Sequence, residues 1–224
     1  MSCVDNYTRL KAGISRLAQA SGRQEDSVQL LVVSKTRSVE EIRQLYDAGI
    51  REFAENREPE LAMKKAALPD DIIWHFIGPI QSNKVRKIVN LAQVVHSIDS
   101  AALVERFDRI AAEEGKKLSV FLEVSISGEE CKGGVRPDGL DDAVQALQKC
   151  SNLQWIGLMT MAPLEADEEE LLTIFSGLRD LALELRERTH LALPHLSMGM
   201  SGDYAQAIAC GSTIVRIGTA VFAE

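Results

Sequence analysis

The feature that most constrains this chain is a regular alternation of two kinds of segment. Short apolar runs lie at 30–34, 52–55, 73–77, 94–98, 118–124, 153–159, 195–197 and 214–217. Most are rich in Val, Ile, Leu or aromatic residues and lack clean period-two alternation. That pattern suits parallel strands covered on both faces. Between them the spacing is helical. Ser38 and Glu41 form a capping box ahead of an apolar stripe of Val39, Ile42, Leu45 and Tyr46, and Gly49 supplies the stop. Leu103, Phe107, Ile110 and Ala111 repeat the stripe and end at Gly115. Leu140, Val144 and Leu147 make another. Leu171, Phe175, Leu178 and Leu185 mark a longer helix, and Ala205, Ile208 and Ala209 a short one ended by Gly211. Ahead of the first strand, Tyr7, Leu10, Ile14 and Leu17 predict a helix that closes at Gly22.

Repeated strand–helix alternation implies a parallel sheet. Eight such units in 224 residues favour one α/β domain over 1–224, a (β/α)8 TIM-type barrel with an additional N-terminal helix. An open doubly wound sheet is the alternative, and the GxGxxG fingerprint expected after its first strand is missing. With 33 acidic and 25 basic residues the net charge is −8, which disfavours nucleic acid and anionic membranes as partners. No apolar run approaches the roughly 18 residues that span a bilayer. The first ten residues lack the basic start and apolar core of a secretion signal. Cys3, Cys131, Cys150 and Cys210 form no CxxC pair and have no His at ligand spacing. They read as free thiols in the cytoplasm, with no metal site.

In such a barrel, chemistry belongs at the C-terminal ends of the strands, and the unusual residues collect there. Lys35 follows the first run, Glu55 and Asn56 close the second, and Gly78-Pro79 with Gln81–Lys84 follows the third. A lysine at a half-buried mouth tends toward the neutral amine that Schiff-base formation needs. By position alone, a surface lysine snorkelling at a strand end is the commoner case. The last two strand ends add weight. Barrels often bind phosphate with the loops after strands seven and eight. Ser197 closes strand seven, and Ser201 is placed to cap a short helix starting near Gly202, whose free N–H groups suit an anion. Gly218 permits close backbone approach and Thr219 adds a hydroxyl. A well-capped helix and a tight turn would leave the same marks. Arg216 shares a strand face with Gly218. Pointing inward, it either forms a buried ion pair with Glu55 or Glu123 or donates to a ring nitrogen.

Four motifs, VVSKT at 32–36, HFIGPIQSNK at 75–84, HLSMGMS at 195–201 and GSTIVRIGTAVF at 211–222, closely resemble the pyridoxal phosphate homeostasis protein family. Its members are similar to the N-terminal barrel of alanine racemase, and the resemblance runs from about residue 30 to residue 222. It implies pyridoxal phosphate as cofactor, carried as a Schiff base on Lys35. Ser201, Gly218 and Thr219 would hold the phosphate, Arg216 would face the pyridine nitrogen, Asn56 would lie near the ring, and Ser197 would belong to the same cofactor-binding set. It further implies a carrier or regulator in intracellular vitamin B6 homeostasis, with the apo-forms of pyridoxal phosphate enzymes as candidate recipients; separately, the lack of an appended domain suggests a monomer. The chain departs from the family at Arg57-Glu58-Pro59-Glu60, where Pro59 still fits a first helical turn. Arg37 stands where the family has a second basic residue after the lysine. The loop 128–134, with Lys132, resembles the family's flexible loop, though a plain solvated loop is the commoner reading of such a stretch.

A non-catalytic role follows from the same residues. Arg216 can only donate, so a pyridine nitrogen facing it stays unprotonated and the ring is a weaker electron sink. Alanine racemase offsets this with a second base, a tyrosine from another domain. Here Tyr7 and Tyr46 read as helix packing, and Tyr204 lies in the short helix. A weak pyridoxal phosphate-dependent racemase and a barrel enzyme for another phosphorylated substrate are the alternatives. His75 and His195 are expected to line the mouth, and His96 and His190 to be surface or core fillers. Met159, Met161, Met198 and Met200 read as packing.

Overall fold

The capping box read at Ser38 forms. Its hydroxyl accepts from the Glu41 N–H, the Glu41 carboxylate accepts from the Ser38 N–H, and a helix runs from Val39 to Asp47. A second box, Asp167 with Glu170, starts the longest helix. In the computed structural model, which describes residues 2–126 and 133–223, these helices cover a closed ring of parallel strands. Residues 128–132 of the loop expected at 128–134, with Cys131 and Lys132, lie outside the described residues.

The strands are β1 (Gln29–Val33), β2 (Glu52–Glu55), β3 (Ile73–Phe76), β4 (Val94–Ile98), β5 (Leu118–Glu123), β6 (Leu153–Met159), β7 (His195–Ser197) and β8 (Ile214–Ile217). The helices are α1 (Cys3–Ala20), α2 (Val39–Asp47), α3 (Glu58–Ala67), α4 (Val85–Leu91), α5 (Ala101–Glu113), α6 (Leu140–Lys149), α7 (Glu168–Thr189) and α8 (Tyr204–Ala209). Each strand pairs with the next, and β1 closes on β8 in the register Gln29↔Ile214 to Val32↔Ile217. This is the (β/α)8 barrel with an added N-terminal helix. The expected strand at 30–34 starts one residue earlier, where Gln29 pairs with Ile214, and ends at Val33, ahead of a turn with Thr36 at φ +64°. Helices α3 and α4 had no stripe clear enough to be read. Among the described residues no helix is long and apolar enough to cross a membrane.

Alternation along the strands builds two cores. Leu31, Val33, Ala54, Phe121, Met159 and Ile214 fill the barrel interior. A larger core, with Val32, Phe53, Trp74, Phe107 and Phe175, lies between the strands and the helices. The inner filling is partly polar, since His75, His96, Ser197 and Arg216 are all buried. At the mouth, Gly78 has no substitute: a Cβ there would lie 2.0 Å from the Asn56 carbonyl oxygen.

Candidate functional site

The loops at the C-terminal ends of the strands enclose a cavity of about 490 Å³. That lies within the about 300–1,000 Å³ typical of small-molecule sites. Its walls include Lys35, Asn56, Gly78, Pro79, Met161, Ser201, Asp203, Arg216, Gly218 and Thr219. Six of the seven residues read from the sequence as cofactor-binding therefore meet in one place. The seventh, Ser197, lies beneath it. A larger groove of about 900 Å³ opens at the other end of the barrel, between α1 and the starts of β1 and β2. We place the candidate site at the mouth, because uncommitted donors converge there.

The backbone N–H groups of Ser201, Gly202, Gly218 and Thr219 donate to no protein group among the described residues. All four residues face the cavity. Such a set of free donors suits a phosphate dianion. The two loops are tied together by the Ala220 N–H, which donates to the Ser201 hydroxyl at 3.4 Å. Here the expected cap is corrected. Helix α8 begins at Tyr204, so Ser201 stands one turn too early to cap it. Asp203 holds that position instead, and its carboxylate turns back to accept from the Met200 N–H. Gly218 packs against β1, where a Cβ would lie 2.8 Å from the Val33 carbonyl oxygen.

Arg216 is buried, and burial pushes its pKa down to about 10, so it stays a cationic donor at neutral pH. Of the two readings of Arg216, the ion pair with Glu55 or Glu123 does not form. Glu55 pairs with Lys64 at 2.7 Å, and Arg216 makes no salt bridge among the described residues. One terminal nitrogen of Arg216 donates to the Ser197 carbonyl at 2.6 Å and hydroxyl at 2.7 Å; the other donates to the Thr160 carbonyl at 3.0 Å. These three bonds leave Nε–H and one terminal N–H for the cavity.

Behind Arg216 runs a chain of hydrogen bonds that crosses the barrel interior. The Ser197 hydroxyl meets His96 Nδ1 at 2.8 Å, His96 Nε2 meets His75 Nδ1 at 2.9 Å, and His75 Nε2 meets Glu52 at 2.9 Å. Arg216 has no acceptor, so the Ser197 hydroxyl accepts from it and gives its own hydrogen to His96 Nδ1. His96 then carries its hydrogen on Nε2 and donates to His75, which donates to Glu52. Burial holds His96 well below the usual imidazole range, which keeps the ring neutral as this order requires. The ring also stacks on Phe121 at 4.3 Å. Ser197 thus acts on the site through Arg216. His96, read as a filler, is the link behind it. His75 and His195 do not line the mouth: His75 is buried in β3, and His195 stands at the N-terminal end of β7.

Lys35 is exposed at the cavity rim rather than half-buried. Arg37 turns away, 5.0 Å over the Phe222 ring and 3.6 Å from Glu41. Lys84 is engaged by Glu58 at 2.9 Å. None of Tyr7, Tyr46 and Tyr204 lines the cavity. Glu123 ends β5 in a buried position, and burial, reinforced by Asp99, pushes its pKa up to about 7 against the pull of Arg216.

Comparison with known proteins agrees with this architecture. The model of the family described as alanine racemase, N-terminal domain, matches residues 6–224. A pyridoxal phosphate homeostasis protein of Aquifex aeolicus is 39% identical over 225 residues, covering 100% of this chain and 99% of its own. One from Escherichia coli K12 is 36% identical over 227 residues, covering 97% and 94%. The structure of PipY from Synechococcus elongatus, described with pyridoxal phosphate bound, superposes with a TM-score of 0.83 at 41% identity, covering 93% of this chain and 99% of that one. An alanine racemase from Clostridium difficile shares the fold, with a TM-score of 0.72 at 13% identity over 93% of this chain and 56% of its own. The chain belongs to the pyridoxal phosphate homeostasis protein family, within the wider family of the alanine racemase N-terminal domain.

Proposed function

We propose that this protein holds pyridoxal phosphate as a Schiff base on Lys35 and serves as an intracellular carrier or regulator of that cofactor. The observation that carries the reading is the convergence at one cavity of a lysine amine, four unpaired backbone N–H donors and a buried arginine with donors to spare. The relatives' names and the bound PipY structure support the same ligand.

When bound, pyridoxal phosphate supplies an aldehyde that condenses reversibly with amines and a ring that can draw electrons from an attached amino acid. Lys35 offers the amine at the rim. The N–H groups of Ser201, Gly202, Gly218 and Thr219, with the Ser201 and Thr219 hydroxyls, bind the phosphate. Asn56 flanks the ring. Arg216, steadied by Ser197 and Thr160, donates to the ring nitrogen and keeps it unprotonated, which weakens the ring as an electron sink. No tyrosine of the described residues reaches the cavity to act as a base opposite Lys35. Both features favour holding the cofactor over turning over amino acids. The apo-forms of enzymes that use it are the candidate recipients.

A visible absorption spectrum tests the reading. Purified protein given pyridoxal phosphate should show a Schiff-base band, and Lys35→Ala should lose it. An undiminished band in the variant, or no spectral change in the parent protein, contradicts the assignment.

A further inference from the structure

Lys64 lies on α3, away from the cavity, yet its side chain is fully buried. Its ammonium has three donors, and each meets an acceptor: the Ser34 carbonyl at 2.7 Å, Glu55 at 2.7 Å and Glu60 at 2.6 Å. The same Glu60 oxygen accepts from the Thr36 N–H at 2.6 Å. Ser34 is held again by its own hydroxyl, which donates to Glu55 at 2.6 Å. Ser34 and Thr36 are the two chain neighbours of Lys35. Thr36 is also in the left-handed region at φ +64°, a conformation that β-branched residues avoid. A strained backbone of this kind persists only where its surroundings hold it, and here the Glu60 carboxylate supplies the hold.

We infer that Lys64 and Glu60 are positioning residues for Lys35, a buried clamp that grips the peptide groups on both sides of it and aims its side chain into the cavity. This rests on the proposed role of Lys35 as the attachment point. In the step concerned, the Lys35 ammonium loses a proton to solvent and the neutral amine adds its lone pair to the aldehyde carbon; a C=N bond replaces the C=O bond, and the oxygen leaves as water, its two hydrogens balancing the two the nitrogen gives up. That addition requires the nitrogen to approach the carbon along a defined line, and small misplacements slow such steps severely. The clamp touches neither the phosphate donors nor Arg216. It therefore acts on condensation while leaving noncovalent binding alone.

The test separates those two quantities. Condensation is followed by the absorbance change on mixing with pyridoxal phosphate. Noncovalent binding is measured with pyridoxine 5′-phosphate, an alcohol that cannot condense. Glu60→Ala should slow condensation by about ten- to hundredfold while its affinity for the alcohol stays within about twofold of the parent's. Glu60→Gln, which keeps an oxygen for the Thr36 N–H, should recover most of the rate. Lys64→Met should match Glu60→Ala if it folds, and Glu60→Ala decides the question if it does not. Parent-like condensation in Glu60→Ala overturns the inference, and so does an equal loss of both ligands, which would mark general damage to the cavity. A parent protein that does not condense at Lys35 sinks the proposed function itself, and that outcome is seen before any variant is compared.

Discussion

Lys64→Met should lower the free energy of unfolding by about 3–5 kcal/mol, the usual effect of removing one partner of a buried ion pair. Lys64 and Glu55 are both fully buried, and the ammonium satisfies three acceptors at once. Without it, the Glu55 carboxylate keeps only the Ser34 hydroxyl, and its second oxygen already lacks a partner. For a protein of this size the melting temperature should fall by roughly 10 °C. Adding Glu55→Gln should return part of the loss, since no buried charge is then stranded. Urea denaturation of the three proteins checks both statements. A loss under about 1 kcal/mol for Lys64→Met would show that the cluster is more hydrated than its geometry implies.

The second large effect depends on pH. Burial raises the Glu123 pKa from an ordinary 4.5 to about 7 in the folded protein. Between those values the folded state holds a proton that the unfolded state has lost. The stability this contributes is complete below about pH 4.5 and is lost as the pH rises through about 7. The gap converts, at about 1.4 kcal/mol per pH unit, to about 3 kcal/mol. Glu123→Gln cannot ionise. Ligand-free variant and parent should therefore be equally stable near pH 4.5, and the variant should be the more stable by about 3 kcal/mol at pH 8. Denaturation across that range reads the difference. Parallel pH profiles would mean that the Glu123 carboxylate is charged and compensated, with Arg216 as a cation that pulls its pKa down.

The barrel was legible because its determinants are local. β-branched runs become strands, Ser38 caps α2, and Gly22, Gly49, Gly115 and Gly211 end helices in positive-φ conformations. The mouth residues were legible for a related reason. In a barrel of known direction, the residues after each strand must share one end, so Lys35, Asn56, Ser201, Arg216, Gly218 and Thr219 converge. What stayed hidden is set by register and packing across long separations. A lysine in a helix reads as solvated, and nothing near Lys64 in the sequence announces that it will meet the Ser34 carbonyl, 30 residues away. The order from Glu52 through His75, His96 and Ser197 to Arg216 depends on the relative stagger of β2, β3, β4, β7 and β8. One signal was available: His96, Ser197 and Arg216 are polar residues inside strands whose neighbours are mostly apolar. Ser201 has the residue type of a cap, but a turn separates it from α8, which begins at Tyr204.

These details narrow what the cavity is suited to do. Four free backbone N–H groups face it, its arginine is held by neutral partners, and the inferred clamp of Lys64 and Glu60 grips the backbone on both sides of its lysine. Chemical trapping identifies the attachment point. Protein incubated with pyridoxal phosphate is reduced with borohydride, which fixes a Schiff base as a stable secondary amine, and the labelled peptide is mapped. Label is expected on Lys35. Label on any other lysine, or none, would contradict it.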